Sequence, residues 1–523
     1  MKDAPSEVAP SGAPRKRHRV ARWVLRVLLG LVVLLVVVRV WWGYSAGARL
    51  QAIVDDIRSR GEPLAWKDFA TPPIPDEDNA VELYKQAAYR PLLGGWFDEE
   101  DRSPKEKQRA YELGLLLDDL VARPAPRRKH AEKVREILAI AAGPLALCRQ
   151  ARSRTGVDWK TDYERPAIGS RPALARLNRL CQVLCLAGLA AHDAGDDAAA
   201  LERFRDALAL ARAPGRYPVL VAAVMCWGLE GYVFLAIEQA APRLAIGGQR
   251  GAARAEDVRR LVAELLDESL VGQGWVRAMM GERSFLYDTM ERVRRGEMSL
   301  DEIGLGQSPE RGSTLKRLGL WLFPDPFYAD QEAALLRHGS GHVAAARAAS
   351  YPRALAEIPA LPSLDSSWQR TRNLLVAILL PDVRLVCELH YRMLVMRRGA
   401  ATALAIRLYE KDHGRRPDKL TDLVPKYLPT VPADPFTKGG QAIRYCPKAD
   451  PPLLYSVSRD GKDDGGRFAV NSWGRVDGGK SADGVFFLDG NRPAIEPEEG
   501  LFDEPTPDSP TTTQPVEKSE VGT

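Results

Sequence analysis

The chain has 523 residues, of which 45% are hydrophobic and 27% are charged, a composition that excludes global disorder and suits a globular protein of two or three domains. Its formal net charge is +5, and the first 26 residues, with seven basic and two acidic side chains, account for all of it. Because the rest of the chain is neutral, we expect no nucleic-acid partner. The six cysteines form no CxxC pair and no metal-ligand spacing, so we expect neither disulfide bonds nor a cysteine-bound metal.

The first predicted element is a long apolar helix from Trp23 to Tyr44. A helix of this length extends about 33 Å, which is enough to cross a hydrocarbon layer of about 30 Å. Aromatic side chains near both ends are typical of membrane interfaces. Residues 1–22 form a basic tail that we expect to be disordered, and the positive-inside rule places this tail in the cytoplasm. The sequence therefore predicts a single transmembrane helix at 23–44 that contacts the lipid bilayer, with the bulk of the chain on the extracytoplasmic side.

A cleaved signal peptide is an alternative for the same segment, because Ala46-Gly47-Ala48 fits a cleavage site. The apolar run is longer than the apolar region of about 7 to 15 residues in a signal peptide, which favours a retained anchor. Both alternatives export the remainder of the chain.

Residues 45–380 show helical periodicity and are predicted to form an irregular α-helical body. A helix from Ala46 to Arg60 continues the anchor and has one apolar face. Tyr217–Ile237 is apolar enough to be a second membrane span, but it contains the charged Glu230. Since a carboxylate inside lipid is costly, we interpret this segment as a core helix of the body.

Residues 174–212 are predicted to form a helical hairpin within this body. Small residues such as Gly188 and Ala200 would let its two helices approach closely, and Gly195-Asp196 would form the turn between them. Together with Phe204, these positions resemble one tetratricopeptide hairpin. An array of such repeats is not expected, because the flanking helices do not follow the same period.

Residues 381–490 are predicted to begin as a helix and to continue as short strands. A long helix is predicted from Pro381 to about Lys411, and it ends at His413-Gly414. Short β-like runs separated by turn residues follow this helix. Residues 491–523 are rich in proline, threonine and acidic residues and are predicted to be a disordered tail.

This C-terminal region resembles the globular end of the major pseudopilins of type II secretion systems. The resemblance is carried by the following positions: Tyr409, Gly414, Pro417, Asp434-Pro435-Phe436, Tyr445, Tyr455-Ser456 and the Asp-Gly-rich loop that begins at Asp460. It implies a small α+β module at 381–490. The anchor lies far upstream of the module, so the resemblance predicts the fold of the module and not assembly into a pseudopilus. The whole chain also resembles large uncharacterised bacterial membrane-anchored proteins that end in such a module, which implies a bacterial inner membrane and a periplasmic body.

In that family a loop of the β-hairpin binds calcium, and the residues here allow the same prediction. Calcium prefers about six to eight oxygen ligands from carboxylates and carbonyls of a flexible loop. Several nearby glycines give the loop backbone freedom. The alternative is a solvated hairpin turn, because Asp-Gly pairs also form turns. The predicted calcium ligands are Ser458, Asp460, Asp463 and Asp464.

These features predict a mainly α protein with an N-terminal transmembrane helix, a partly tetratricopeptide-like body and a small pseudopilin-like module. We expect a membrane-anchored binding or scaffold protein with protein partners. One alternative is a component of a type II secretion-like machine. Another is an exported hydrolase with a site between the body and the β module, assembled from scattered residues such as Asp76, His338 and Asp434. The sequence contains no nucleophile elbow, HExxH motif or phosphate-binding loop, which favours the binding role and leaves the enzyme as the less favoured, open alternative.

Overall fold

A computed structural model describes residues 15–88, 103–122, 124–164, 176–298, 324–361, 363, 365–366, 369, 373–468 and 483–492. Within these ranges the fold is mainly helical, with three short strands towards the C-terminus. The predicted mainly α fold class with an N-terminal apolar helix is confirmed. Most of both predicted disordered tails lies outside the described residues. The described end of the basic tail, residues 15–22, is not disordered as predicted but forms the start of a helix.

The elements are numbered here in chain order. The helices are α1 (Arg15–Ser59), α2 (Ala80–Ala88), α3 (Pro104–Ala122), α4 (Pro124–Lys129), α5 (Ala131–Ile140), α6 (Ala142–Arg152), α7 (Arg176–Asp193), α8 (Asp197–Arg212), α9 (Leu220–Ala240), α10 (Ala255–Leu266), α11 (Ser269–Arg294), α12 (Pro324–Ala346), α13 (Tyr351–Glu357), α14 (Leu374–Leu379) and α15 (Val383–His413). The strands are β1 (Arg444–Cys446), β2 (Leu453–Ser456) and β3 (Gly484–Phe487).

Helix α1 runs without a break from the basic tail through the apolar segment into the body. The valine and leucine side chains from Val24 to Val38 are all exposed, and this part of the helix is long and apolar enough to span a membrane. After Ala46 the same helix buries one face, where Val54 and Ile57 pack against Leu336 of α12. The predicted continuation of the anchor into an amphipathic helix is therefore present, and it packs on the body.

Helices α7 and α8 form the predicted hairpin. Gly195 in the turn has a φ of +79°, a left-handed conformation that favours glycine. Asp196 caps α8 by accepting a hydrogen bond from the backbone N–H of Ala199 at 3.0 Å. A Cβ atom at Gly188 would collide with the ring of Phe204, so the absence of a side chain there allows the close approach of the two helices. The tetratricopeptide-like character of the hairpin stays a prediction.

Helix α9 lies inside the body, where it packs on α7, α8, α11 and α15. Most of its side chains are buried, including Glu230, which is fully covered. The carboxylate of Glu230 forms an ion pair with Arg397 of α15 and lies 3.7 Å from the guanidinium of Arg212. Two basic partners offset the cost of burying this charge, and the arrangement agrees with our interpretation of the segment as a core helix.

Helix α15 is shared between the body and the C-terminal module. Its buried residues Met396, Ala400 and Leu404 belong to the main hydrophobic core, which extends in sequence from Trp66 to Leu488. The helix ends where expected, because Gly414 adopts a φ of +69° and its N–H bonds to a carbonyl of the last turn. The main hydrophobic core therefore continues across residue 381, where the sequence predicted the boundary between the body and the C-terminal module.

The three strands form an antiparallel sheet in the order β1-β2-β3. Leu454 in the central strand pairs with Tyr445 on one side and with Phe486 on the other. The ring of Phe486 packs directly on Gly399 of α15, where a Cβ atom would clash with it. The sheet therefore lies against the long helix, as expected for a small α+β module.

The sheet also contacts the end of α9. The backbone N–H of Phe487 donates a hydrogen bond to Glu238 at 2.5 Å, and Arg492 donates to the same carboxylate at 2.8 Å. Glu238 is 1% exposed, so these bonds are made in the protein interior. The module is thereby fixed to the helical body by polar contacts as well as by apolar packing.

Candidate functional site

Asp434 organises the turn that leads into the β module. It is fully buried, and its carboxylate accepts hydrogen bonds from the backbone N–H of Phe436 and Val457 and from the hydroxyl of Ser456. Arg444 of β1 donates at 3.1 Å to the same carboxylate oxygen as Val457. Both carboxylate oxygens accept hydrogen bonds. Asp434 therefore links its own turn to β1 and to the end of β2.

The structure places the four predicted calcium ligands in one loop but gives them different environments. Ser458 is buried and has a φ of +55°, and its carbonyl accepts a hydrogen bond from the N–H of Gly461. Asp460 accepts from the backbone N–H of Lys462 at 3.0 Å. Asp464 is exposed to solvent. The loop therefore carries exposed carboxylates at its tip, whereas Ser458 is buried at its base.

Asp463 is already engaged by a basic side chain. Arg444 donates to its carboxylate at 2.6 Å, and the hydroxyl of Tyr455 donates at 3.0 Å. Partial desolvation acts to raise the pKa of Asp463, but the hydrogen bonds, chiefly the one from Arg444, outweigh it and lower the pKa overall. A guanidinium from β1 thus offsets one of the negative charges that a bound cation would otherwise have to balance.

Asp483 at the start of the segment that leads into β3 lies next to this loop. It is 3% exposed, and one carboxylate oxygen accepts a hydrogen bond from the N–H of Gly466 at 2.8 Å. The other oxygen has no hydrogen-bond partner among the described residues. Burial raises the pKa of Asp483 to about 6, and the charges of Asp464 and Asp463 act in the same direction.

Asp483 was missed because it lies well after the loop in sequence, and only the pairing of β2 with β3 brings it close. Among the described residues, no group of three or more His, Cys, Asp or Glu side chains has an arrangement that would hold a metal ion. The calcium site stays a prediction, and the structure adds Asp483 as the carboxylate with an unused oxygen.

A second candidate site is an open cleft of about 640 Å³. It lies between the segment 61–69 that follows α1, the first half of α11, the end of α12 and helix α15. This volume lies within the range of small-molecule sites. The cleft is lined by apolar side chains and by several charged ones from four separate segments. They are Gly61, Pro63, Phe69, Glu268, Gly272, Gln273, Val276, Arg277, Met280, Ala346, Arg347, Ala348, Ala349, His390, Tyr391, Leu394 and Arg398.

Two of the cleft arginines are held by carboxylates. Arg398 forms a two-pronged contact with Glu268, with both distances at 2.7 Å. Arg347 donates to Glu62 at 2.7 Å, but Glu62 also accepts from the buried Arg283 at 2.7 Å. Burial alone would raise the pKa of Glu62, and the hydrogen bonds from the two arginines lower it overall. One carboxylate is therefore shared between two guanidinium groups.

Arg277 has a different kind of partner. Its guanidinium donates to the backbone carbonyls of Arg216 at 3.1 Å and of Phe69 at 3.3 Å, and it lies over the Phe69 ring at 5.2 Å from the centroid. These neutral partners orient the side chain without cancelling its charge. Within the described part of the chain, no carboxylate forms an ion pair with Arg277.

His390 forms part of the cleft wall and is 5% exposed. Its ring stacks on Trp275, with centroids 5.7 Å apart, and contacts Trp227. The Nδ1 atom has no hydrogen-bond partner among the described residues. Burial lowers the pKa of His390 to about 3, and the charge of Arg397 adds to this effect, so the ring is uncharged at neutral pH.

The cleft offers cationic, apolar and aromatic side chains for contact with a ligand. None of the described residues that line it is a serine, threonine or cysteine. The residues named as a possible hydrolase site are also engaged elsewhere: Asp76 pairs with Lys160 at 2.7 Å, and His338 contacts the backbone carbonyls of its own helix and of Ala360. Sequence reasoning did not find the cleft, because its lining residues come from distant segments and form no motif.

Comparisons with protein-family models, with characterised proteins and with solved structures each find no match to this chain. The pseudopilin-like and tetratricopeptide-like resemblances stay predictions from the sequence.

Proposed function

We propose that this protein is a membrane-anchored binding or scaffold protein of a bacterial inner membrane, with a cytoplasmic N-terminus and a periplasmic body. The observation that carries the proposal is the continuity of α1. Its first part exposes apolar side chains from Val24 to Val38, and its last turns are packed on α12 of the body. A helix with these two environments fits an anchor that also serves as a structural element of the exported domain.

The junction between anchor and body supports a fixed orientation. The indole N–H of Trp42 donates to Asp330 at 2.5 Å, and Arg49 donates to the other oxygen of Asp330 at 2.7 Å. Because Trp42 lies at the end of the apolar segment, these bonds form close to the proposed membrane surface. The body would therefore stand at a defined position on the bilayer instead of hanging from a flexible linker.

The C-terminal module supports the scaffold role, because its contacts with Glu238 and α15 hold it on the body. We also propose, as implied by the pseudopilin resemblance, that its loop binds calcium. Asp464 and the unused oxygen of Asp483 support this, whereas the contact of Asp463 with Arg444 competes with a cation for that carboxylate. Calcium would supply charge neutralisation that orders the tip of the loop.

Site-specific photo-crosslinking in cells tests the proposed role. A crosslinking amino acid at Gln273, which is exposed at the cleft, is compared with one at the exposed Glu132 of α5. We expect a discrete crosslinked partner from Gln273 that is absent from Glu132 and that requires the anchored form of the chain. Identical background from both positions, or loss of the chain from the membrane fraction, would count against the proposal.

A further inference from the structure

The cleft carries an excess of positive charge. Among the described residues that line it, Arg277, Arg347 and Arg398 are basic and Glu268 alone is acidic. The carboxylate that pairs with Arg347 is also bonded to the buried Arg283. Four arginines therefore face two carboxylates in and behind the wall of the cleft, and the surplus charge favours an anion.

The orientation of these groups is set before any ligand arrives. Arg277 is held by two backbone carbonyls and the face of Phe69, so little side-chain freedom remains to be lost on binding. Arg347 uses one nitrogen on Glu62, and its side chain is 44% exposed. Guanidinium groups with unused donors are well suited to carboxylate and phosphate oxygens.

His390 adds a buried imidazole to the wall of the cleft. A buried imidazole with an unpartnered nitrogen is costly, and such groups are usually satisfied by hydrogen bonds. The ring forms part of the wall of the cleft, and its buried Nδ1 atom has no hydrogen-bond partner among the described residues. An uncharged imidazole in this wall adds no repulsion to the arginines that line the cleft.

The rest of the lining determines what kind of anion fits. Val276, Met280 and Leu394 give the cleft an apolar surface, and Phe69 and Tyr391 add aromatic contacts. A bare inorganic ion would leave this surface uncovered. A volume of about 640 Å³ accommodates an organic group of moderate size.

We propose that the cleft binds an organic anion with an apolar body, whose carboxylate or phosphate group is held by Arg277 and Arg347 beside His390. The inference rests on the proposed binding role and assigns it a ligand class.

Isothermal titration of the full-length protein in lipid nanodiscs tests the inference. The probes are phenyl phosphate and benzoate, which carry the two anionic groups on the same ring. Benzyl alcohol keeps the ring without the charge, and inorganic phosphate keeps the charge without the ring. We expect saturable binding of phenyl phosphate or benzoate, and at least tenfold weaker binding of the other two probes. The better of the two anions identifies the preferred group.

The Arg277→Gln variant keeps hydrogen-bond donors for the backbone carbonyls and removes the charge. It should weaken binding of the preferred anion by about tenfold or more. Arg260→Gln on α10 removes an exposed arginine that pairs with Glu256 and serves as the matched control. Its affinity should equal that of the wild type. A thermal melt of each variant verifies that the fold is intact, and Arg347→Gln provides a second variant if Arg277→Gln fails this check.

Failure of both anions to bind at millimolar concentration would overturn the inference. So would equal affinity for benzyl alcohol, or an Arg277→Gln affinity equal to that of the wild type. The proposed anchored scaffold is tested separately by the crosslinks from Gln273. Crosslinks without anion binding would therefore reject the ligand class alone.

Discussion

Trp42 at the end of the apolar helix donates its indole N–H to the carboxylate of Asp330 on α12, at 2.5 Å. This bond joins the last residues of the candidate membrane span to the first turns of a body helix. Arg49, two turns further along α1, binds the same carboxylate. The side chain of Asp330 thus binds two residues of α1 that lie two turns apart, and it links both to the folded body.

Removing this carboxylate should loosen the junction. We expect Asp330→Ala to lower the free energy of unfolding by about 1–3 kcal/mol, because it removes two charge-assisted hydrogen bonds to a carboxylate that is only 24% exposed. Thermal melting and limited proteolysis of the full-length protein measure the effect. Asp325→Ala is the control, since Asp325 is 76% exposed and lies 3.5 Å from Arg39. It should change stability by less than about 0.5 kcal/mol, and equal effects of the two variants would contradict the account of the junction.

The buried pair of Glu230 and Arg397 leads to a second prediction. Glu230→Ala leaves the guanidinium of Arg397 buried without its carboxylate, and we expect a loss of about 3–5 kcal/mol. The double variant Glu230→Leu with Arg397→Met removes both charges and should recover a large part of that loss. Thermal or urea unfolding distinguishes the two outcomes. A double variant less stable than Glu230→Ala would show that the pair itself holds the core together.

The glycine in the helical hairpin can be tested with a matched pair of substitutions. Gly188→Ala introduces a methyl group into the ring of Phe204, and we expect a loss of about 1–3 kcal/mol from overpacking. Gly143→Ala on α6 meets no atom within 4 Å and should leave stability unchanged or slightly increased. Adding Phe204→Leu to Gly188→Ala should restore part of the stability. A neutral Gly188→Ala would contradict the close packing of the hairpin.

Glu332 on α12 should make stability depend on pH. It is 1% exposed, neither of its oxygens has a hydrogen-bond partner among the described residues, and Arg294 lies 3.6 Å away. Burial raises its pKa to about 7, with Glu291 adding to the shift and Arg294 opposing it. Because this pKa lies above the unfolded value of 4.5, the folded state loses stability as the pH rises from about 4.5 to 7.

Glu332→Gln removes that titration. We expect the variant and the wild type to differ little in stability at pH 4, and the variant to be more stable at pH 8 by up to roughly 3 kcal/mol. Melting temperatures across this range measure the difference. The exposed substitution Glu256→Gln is the control and should show no such trend. A difference between Glu332→Gln and the wild type that does not grow with pH would rule out a raised pKa at this position.

The calcium prediction is tested by melting the protein with a chelator and with millimolar calcium. If the loop binds the ion, calcium should raise the melting temperature by several degrees, because binding stabilises only the folded state. Asp464→Asn and Asp483→Asn should remove this rise, whereas Asp418→Asn at an exposed site should not. Asp463→Asn should lower stability with or without calcium, because it loses the bond from Arg444. An unchanged melting temperature in the wild type would remove the ion site.

The sequence predicted those elements that depend on interactions between residues close together in the chain. The length and apolar character of residues 23–44 predicted the exposed helix, and the glycine at 414 predicted the end of α15. The single charge in the apolar segment at 217–237 identified a core helix, although the identity of its partner, Arg397, depends on a helix more than 150 residues away.

The features that sequence reasoning missed all depend on contacts between distant segments. The loop contains the basic residues Arg459 and Lys462, yet it is Arg444 from β1 that binds Asp463. Asp483 reaches the loop through strand pairing, and Glu238 anchors the sheet from the end of α9. No local periodicity encodes such contacts, because they depend on how the helices and strands pack.

The central claim is that residues 23–44 cross a membrane and that the body lies on the far side. Protease treatment of spheroplasts that carry the full-length chain, with one epitope tag at each end, tests it most directly. The account predicts that the chain stays in the membrane after carbonate washing, that the N-terminal tag is protected, and that the C-terminal tag is digested without detergent. A C-terminal tag that is protected until the membrane is opened, or an intact chain released by carbonate, would contradict it.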